Sequence, residues 1–208
     1  MIEVKILHMK EKYYNEKQLR ILSLYTTDYT AKFHLRRIAR IIKTDTKTTS
    51  INLKKLEDLG IIISEKTGKH REFMLNFRNP LVHYFLIMAE VYRTVELLKK
   101  NFRIRKIFEM AEDKANIIIL FGSYAKGLAT KESDLDVLII DGNLDPTTAE
   151  KIENLYGIKI SPVHLSKEEF TRMQRNKEVF FKEILTTHII LKGFEFFVET
   201  TWRNYYGL

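Results

Sequence analysis

Residues 116–140 read NIIILFGSYAKGLATKESDLDVLII, and two apolar runs frame the stretch. The run at 116–121 is short and almost wholly apolar, as expected for a buried strand. The run at 137–140 repeats the signal. Between them stand Gly122, Ser123 and Lys126, then Asp134 and Asp136. A glycine directly after a buried strand lets the backbone approach a phosphate with no Cβ in the way. Ser123 adds a hydroxyl and a backbone N–H at the start of the following helix, where anions are favoured. Asp134 and Asp136 are two apart on a strand, so their carboxylates project from the same side. Paired hard oxygen ligands are what Mg²⁺ or Mn²⁺ shared with substrate phosphates requires. Asp134 and Asp136 are therefore the candidate metal and catalytic residues, and Gly122, Ser123 and Lys126 the candidate nucleotide contacts.

N-terminal to this stretch the periodicity changes. Residues 35–75 read LRRIARIIKTDTKTTSINLKKLEDLGIIISEKTGKHREFML. Leu35, Ile38, Ala39 and Ile42 recur at helical spacing, with Arg36, Arg37, Arg40 and Lys43 over the remaining surface. Thr44 and Asp45 interrupt with turn and N-cap chemistry. A second helix is expected from Thr46, with Thr49, Leu53 and Leu56 on its inner side and Gly60 closing it. Ile61 to Ile63 and Phe73 to Leu75 flank a glycine-containing turn. They read as a β-hairpin with Lys66, Lys69, His70 and Arg71 at its tip. An earlier helix from about Glu16 to Tyr25 completes a three-helix core.

The charge follows the same division. The chain has 208 residues and a formal net charge of +8. Residues 1–80 carry net +8, residues 81–115 net +2 and residues 116–208 net −2. The basic end is suited to a polyanion. Hydrophobic residues make up 45% of the chain, enough to bury a core and to exclude disorder as the dominant state. The absence of cysteine excludes a disulfide scaffold, a thiol nucleophile and cysteine-bound zinc. The histidines show no metal-ligand spacing. No run is long and apolar enough for a signal peptide or a membrane helix, so no membrane partner and a cytoplasmic location are expected. Pro80 opens a long amphipathic helix with Leu81, Tyr84, Phe85, Met88, Val91, Val95 and Leu98 at helical spacing. It reads either as a dimerisation helix for a homodimer or as a cover for the core of either domain.

Residues 16–76 resemble the winged helix-turn-helix family. The resemblance implies that the helix from Thr46 lies in the major groove of double-stranded DNA, with the hairpin on neighbouring phosphates. The implied contacts are Arg36, Lys47, Lys54, Lys66, Lys69 and Arg71 for phosphates, and Thr48, Ser50 and Asn52 for bases. Such domains also serve as protein-docking modules. The basic helix and basic wing together favour nucleic acid.

The pattern GS-x10-DxD between two buried strands resembles the DNA polymerase beta-like nucleotidyltransferase superfamily in its minimal form. The likeness extends loosely over residues 100–200. It implies a mixed sheet flanked by helices, a nucleoside triphosphate as ligand, and Mg²⁺ or Mn²⁺ at Asp134 and Asp136. It also implies a third carboxylate on a later strand, read here at residues 157–165. That segment, GIKISPVHL, holds no acid, and Ser161 stands at the matching position.

The expected fold class is α+β: a winged helix at 1–79, connecting helices at 80–115 and a nucleotidyltransferase-like domain at 116–208. Two functions follow. One is a DNA-binding transcriptional regulator whose second domain binds Mg–NTP, with turnover weakened by the missing acid. The other is an active enzyme transferring a nucleoside monophosphate to a hydroxyl on a partner protein, RNA or small molecule.

Overall fold

A computed structural model describes residues 15–68, 70–203 and 205; the side chains of Thr67 and His70 fall outside that description. The described residues divide into two compact units, one reaching Tyr92 and also holding Tyr205, the other spanning Arg93–Arg203.

The first unit opens with helix α1 (Glu16–Leu22), started by a capping box in which the Asn15 side chain accepts from the Gln18 N–H and the Gln18 side chain answers to the Asn15 N–H. A two-residue strand β1 (Phe33–His34) leads into α2 (Leu35–Ile41) and α3 (Thr46–Asp58). Asp45 caps α3 by accepting from the Thr48 N–H at 2.7 Å. Gly60 ends it at φ +67°, which brings the Gly60 N–H to the Glu57 carbonyl and the Ile61 N–H to the Leu56 carbonyl. Strands β2 (Ile62–Thr67) and β3 (His70–Leu75) form an antiparallel hairpin, and β1 adds to its β3 edge, giving the order β1-β3-β2. Ile21, Leu22, Tyr25, Ile38, Leu53, Leu56, Ile62 and Leu75 are buried together as the core of three helices and the sheet. This succession of helix, strand, two helices and hairpin is the winged-helix arrangement. The short β1 has no sequence signal because two residues cannot display a period.

Helix α4 (Leu81–Lys100) runs into α5 (Phe102–Ala111). The second unit is built on a sheet of β4 (Ala115–Leu120), β5 (Leu135–Gly142), β6 (Ile160–Leu165) and β7 (Ile189–Lys192) in the order β6-β5-β4-β7. β5 and β6 are parallel, joined through α7 (Pro146–Tyr156); β4 is antiparallel to both neighbours. Alternation along β4 sends Ile118 and Leu120 into one apolar cluster and Ile117 and Ile119 into the other. The sheet is thus covered on both faces, which accounts for strands with no polar alternation. One cover contains α5 and α7. The other contains α8 (Lys167–Arg175), α9 (Val179–Thr187) and α10 (Phe194–Trp202). A single short helix α6 (Gly122–Lys126) follows β4 directly. No helix among the described residues is long and apolar enough to cross a membrane.

Candidate nucleotide site and nucleic-acid face

The centre of the sheet brings the two halves of the GS and DxD pattern together. Asp136 lies on β5 beside β4, and its carbonyl accepts from the Phe121 N–H at 3.0 Å, fixing the turn at Gly122 against the strand. Gly122 has φ +66°. A Cβ there would lie 2.0 Å from Asp136 Oδ2 and 2.9 Å from its Cγ. The glycine is therefore required twice, by its left-handed backbone and by the carboxylate that occupies the space a side chain would take. Ser123 is half-buried on the same turn, and among the described residues its hydroxyl makes no hydrogen bond.

Asp134 immediately precedes β5. Its Oδ2 accepts from Lys159 Nζ and from Ser161 Oγ, both at 3.1 Å. The Lys159 bond first, then the Ser161 bond, hold its carboxyl below the usual range. Ser161 is also the register partner of Asp136 across the parallel β5–β6 pair. Asp136 behaves oppositely. Partial burial first, then the charges of Asp134 and Glu183, push its carboxyl above the usual range, with Lys126 offsetting part of the effect. A cation between the two aspartates would relieve that like-charge crowding, and the donors are the hard carboxylate oxygens that Mg²⁺ or Mn²⁺ takes, so the residues fit the ion. Among the described residues no three His, Asp or Glu side chains converge as a metal cluster.

In the first unit, Arg36, Arg37 and Arg40 on α2, Ser50 on α3, and Arg71 and Phe73 on β3 line a groove of about 850 Å³. Lys47, Lys54 and Lys66 are exposed, and Thr48 is half-buried at the first turn of α3. Lys54 pairs with Asp58 at 3.3 Å, one turn along the same helix. Lys69 lies outside the described residues. Asn52 does not stand where a base-reading residue must. It is 5% exposed, on the inward face of α3 with Thr49, Leu53 and Leu56. Its Nδ2 donates to the Thr48 carbonyl at 2.8 Å and its Oδ1 accepts from Asn15 Nδ2 at 3.0 Å. Asn52 therefore ties α3 to the cap of α1, and the expectation of a base contact is corrected. Its spacing from Thr49 and Leu56 already placed it on the buried stripe, but its amide argued the other way.

The model of the family described as polymerase beta, nucleotidyltransferase, matches residues 102–193. Three proteins of Methanocaldococcus jannaschii, each provisionally named a protein adenylyltransferase, are similar to this chain. MJ1305 is 34% identical over 98 residues, which is 42% of this chain and 63% of that protein. MJ0141 is 39% identical over 87 residues, covering 38% of this chain and 82% of the relative.

The chain belongs to the polymerase beta nucleotidyltransferase family.

The match spans less than two thirds of the length of MJ1305. Among solved structures, the homodimeric winged helix-turn-helix DNA-binding domain of Mb0332 from Mycobacterium bovis aligns with 43% of this chain and 79% of its own at 18% identity and a TM-score of 0.33. The archaeal chromatin protein TrmBL2 aligns with 87% of this chain and 76% of its own at 16% identity and a TM-score of 0.28. At these scores neither bears on the reading of this nucleotidyltransferase-family chain.

One charged residue beside the nucleotidyltransferase motif has no signal in the linear sequence. Glu183 is exposed on α9, and its charge acts on Asp136. α9 packs against α6, and Phe180, one turn before Glu183, meets the ring of Phe121 edge-on at 5.5 Å between centroids. Residues three apart share a helix face, so the face that seats Phe180 beside the Gly122 turn also carries Glu183. Two histidines have other partners. The His164 ring nitrogen accepts from the Leu144 N–H at 3.3 Å. His188 is fully buried, 4.3 Å from the Phe197 ring centroid, with Nδ1 donating to the Leu185 carbonyl at 2.8 Å.

Proposed function

We propose that this chain is a DNA-binding regulator whose C-terminal module, residues 116–208 after connecting helices at 80–115, binds a nucleoside triphosphate together with Mg²⁺ or Mn²⁺. The observation that carries the nucleotide reading is the interlock of Gly122 with Asp136. A left-handed glycine whose missing side chain is replaced by a carboxylate holds backbone N–H groups, the open Ser123 hydroxyl and an acid within one turn. Asp134 and Asp136 would hold the cation, which supplies charge neutralisation on the phosphates. Ser123 and the backbone of α6 would bind phosphate oxygens, with Lys126 as a further contact. Lys159 and Ser161 hold the Asp134 carboxylate in place and keep it ionised. The DNA reading is supported by the winged-helix arrangement and by the net +8 of residues 1–80.

The test is titration with a fluorescent ATP analogue in Mg²⁺, with and without a chelator, on the wild type and on Asp134→Asn. Binding lost in the chelator and in the variant is the expected result. Binding that survives both would sink the metal-dependent site.

A second reading is favoured by a specific observation, the packing of α9 on α6 with the charge of Glu183 acting on Asp136, and by the relatives' names. In it the oxygen of a protein hydroxyl attacks the α-phosphorus of ATP and its proton passes to the Glu183 carboxylate. The bond from that phosphorus to the bridging oxygen of the β-phosphate breaks and pyrophosphate leaves. Transfer of label from α-labelled ATP to protein, lost in Glu183→Gln while nucleotide binding persists, is the outcome this reading requires.

A further inference from the structure

The positive charge of the first unit is not equally available everywhere. On the wing side, Arg71, Lys32 and His34 meet acids, whereas among the described residues the exposed Lys66 has no carboxylate within ion-pair distance. Arg71 donates from Nη2 to Glu57 Oε1 at 3.0 Å and from Nε to Ser64 Oγ at 2.6 Å. Glu65 pairs with Lys32 at 3.1 Å, and Glu72 lies 3.5 Å from His34. Helix α2 differs. Arg36, Arg37 and Arg40 are exposed, and among the described residues none of them has a carboxylate within ion-pair distance. Arg37 is also held in place, its Cζ 5.1 Å from the Phe33 ring centroid. Arg36 and Arg40 are one helical turn apart, about 6 Å along the axis. All three line the same groove, with the exposed Ser50 of α3 across it.

We propose that Arg36, Arg37 and Arg40 of α2 clamp the DNA phosphate backbone, and that Arg71 of the wing contributes less than any of them. The inference rests on the DNA-binding reading above and names the residues that carry it. Guanidinium groups without acid partners give up no ion pair on meeting a phosphate, and their planar forks suit bidentate contact with its oxygens. The Arg71 guanidinium has to share or break its bonds to Glu57 and Ser64 before it can do the same. Arg37 and Arg40 thereby join Arg36 as contacts, and Arg71 becomes a strut that fastens β3 to α3. An exposed cationic groove fits duplex DNA here because it adjoins the outer face of α3, the helix that a winged helix-turn-helix lays in the major groove.

The experiment is the affinity of the full chain for a mixed-sequence DNA duplex across a salt series, by fluorescence anisotropy. Each phosphate contact contributes about 0.9 to the slope of log affinity against log salt. Arg36→Ala/Arg40→Ala, which leaves the Arg37–Phe33 stack untouched, is expected to lower the slope by about 2. Arg71→Ala, which removes the guanidinium already engaged by Glu57 and Ser64, is expected to lower it by less than about 0.9. A full contact's loss of about 0.9 or more from Arg71→Ala, or an unchanged slope in the α2 pair, overturns the assignment while leaving DNA binding in place. Tighter binding to single strands or RNA through the same arginines overturns the duplex. A wild type with no salt-dependent affinity for duplex DNA overturns both the assignment and the reading it rests on.

Discussion

Gly122 and Asp136 form one unit rather than two motif positions. Alanine at 122 must adopt a left-handed backbone, which costs about 1–2 kcal/mol, and must also displace the Asp136 carboxylate. Gly122→Ala is expected to destabilise the second unit by more than that conformational cost in the wild-type background. In an Asp136→Ala background the loss should fall back toward it. Denaturant unfolding of the four members of this cycle measures the coupling, and an equal loss in both backgrounds contradicts the interlock. The two aspartates should separate by sign. The Asp134 carboxyl is held below its ordinary range by bonds from Lys159 and Ser161, so its contribution to stability is present above its unfolded value and disappears as pH falls through the lowered one. Asp136 is held above its range, so its charge opposes folding at neutral pH and that opposition is relieved as pH falls through the raised value. Without ligand at neutral pH, Asp134→Asn is expected to lower the melting temperature and Asp136→Asn to raise it. The Asp136 gain should shrink as the pH falls through the raised range of that carboxyl, before the Asp134 loss does. Thermal scans over a pH series check both directions.

At the scale of elements, β6 presents a serine at the position where the family resemblance implies a third carboxylate. Ser161 occupies the register position opposite Asp136 and donates to Asp134. Ser161→Asp replaces that donor with a third carboxylate. The expected outcome is a lower melting temperature without metal and a larger upward shift with Mn²⁺ than in the wild type. A smaller metal shift would mean that β6 does not face the ion. The reasons parts of this were legible in sequence are local. The β4–turn–β5 unit announces itself because both strands are buried on two faces and the glycine, serine and aspartates lie within one short stretch. Helix α3 is bounded by an Asp cap and a Gly terminator, each acting on its nearest neighbours. What escaped is non-local. Glu183 reaches the site only because α9 packs on α6, and no spacing along the chain encodes that contact. Asn52 is polar yet inward because Asn15 of another helix supplies its partner. Arg71 looks like a free cation in the sequence and is paired in the fold, because Glu57 sits on the adjoining helix face.

At the scale of the molecule, two patterns of charge fall in two compact units. The excess positive charge sits in residues 1–80 and the paired aspartates in the unit Arg93–Arg203. If the units act separately, Asp134→Asn leaves DNA affinity and its salt slope unchanged, and Arg36→Ala/Arg40→Ala leaves the nucleotide affinity unchanged. Loss of both activities from either change would contradict that independence. The measurement closest to the central claim is the thermal shift of the full chain with each Mg–NTP, compared with Asp134→Asn/Asp136→Asn. At about 100 times its dissociation constant a nucleotide adds about 2.7 kcal/mol to the stability of the state that binds it. The account predicts an upward shift for the wild type that a chelator reverses and the double variant lacks. No shift at millimolar nucleotide, or an equal shift in the double variant, would contradict a metal–nucleotide site at Asp134 and Asp136.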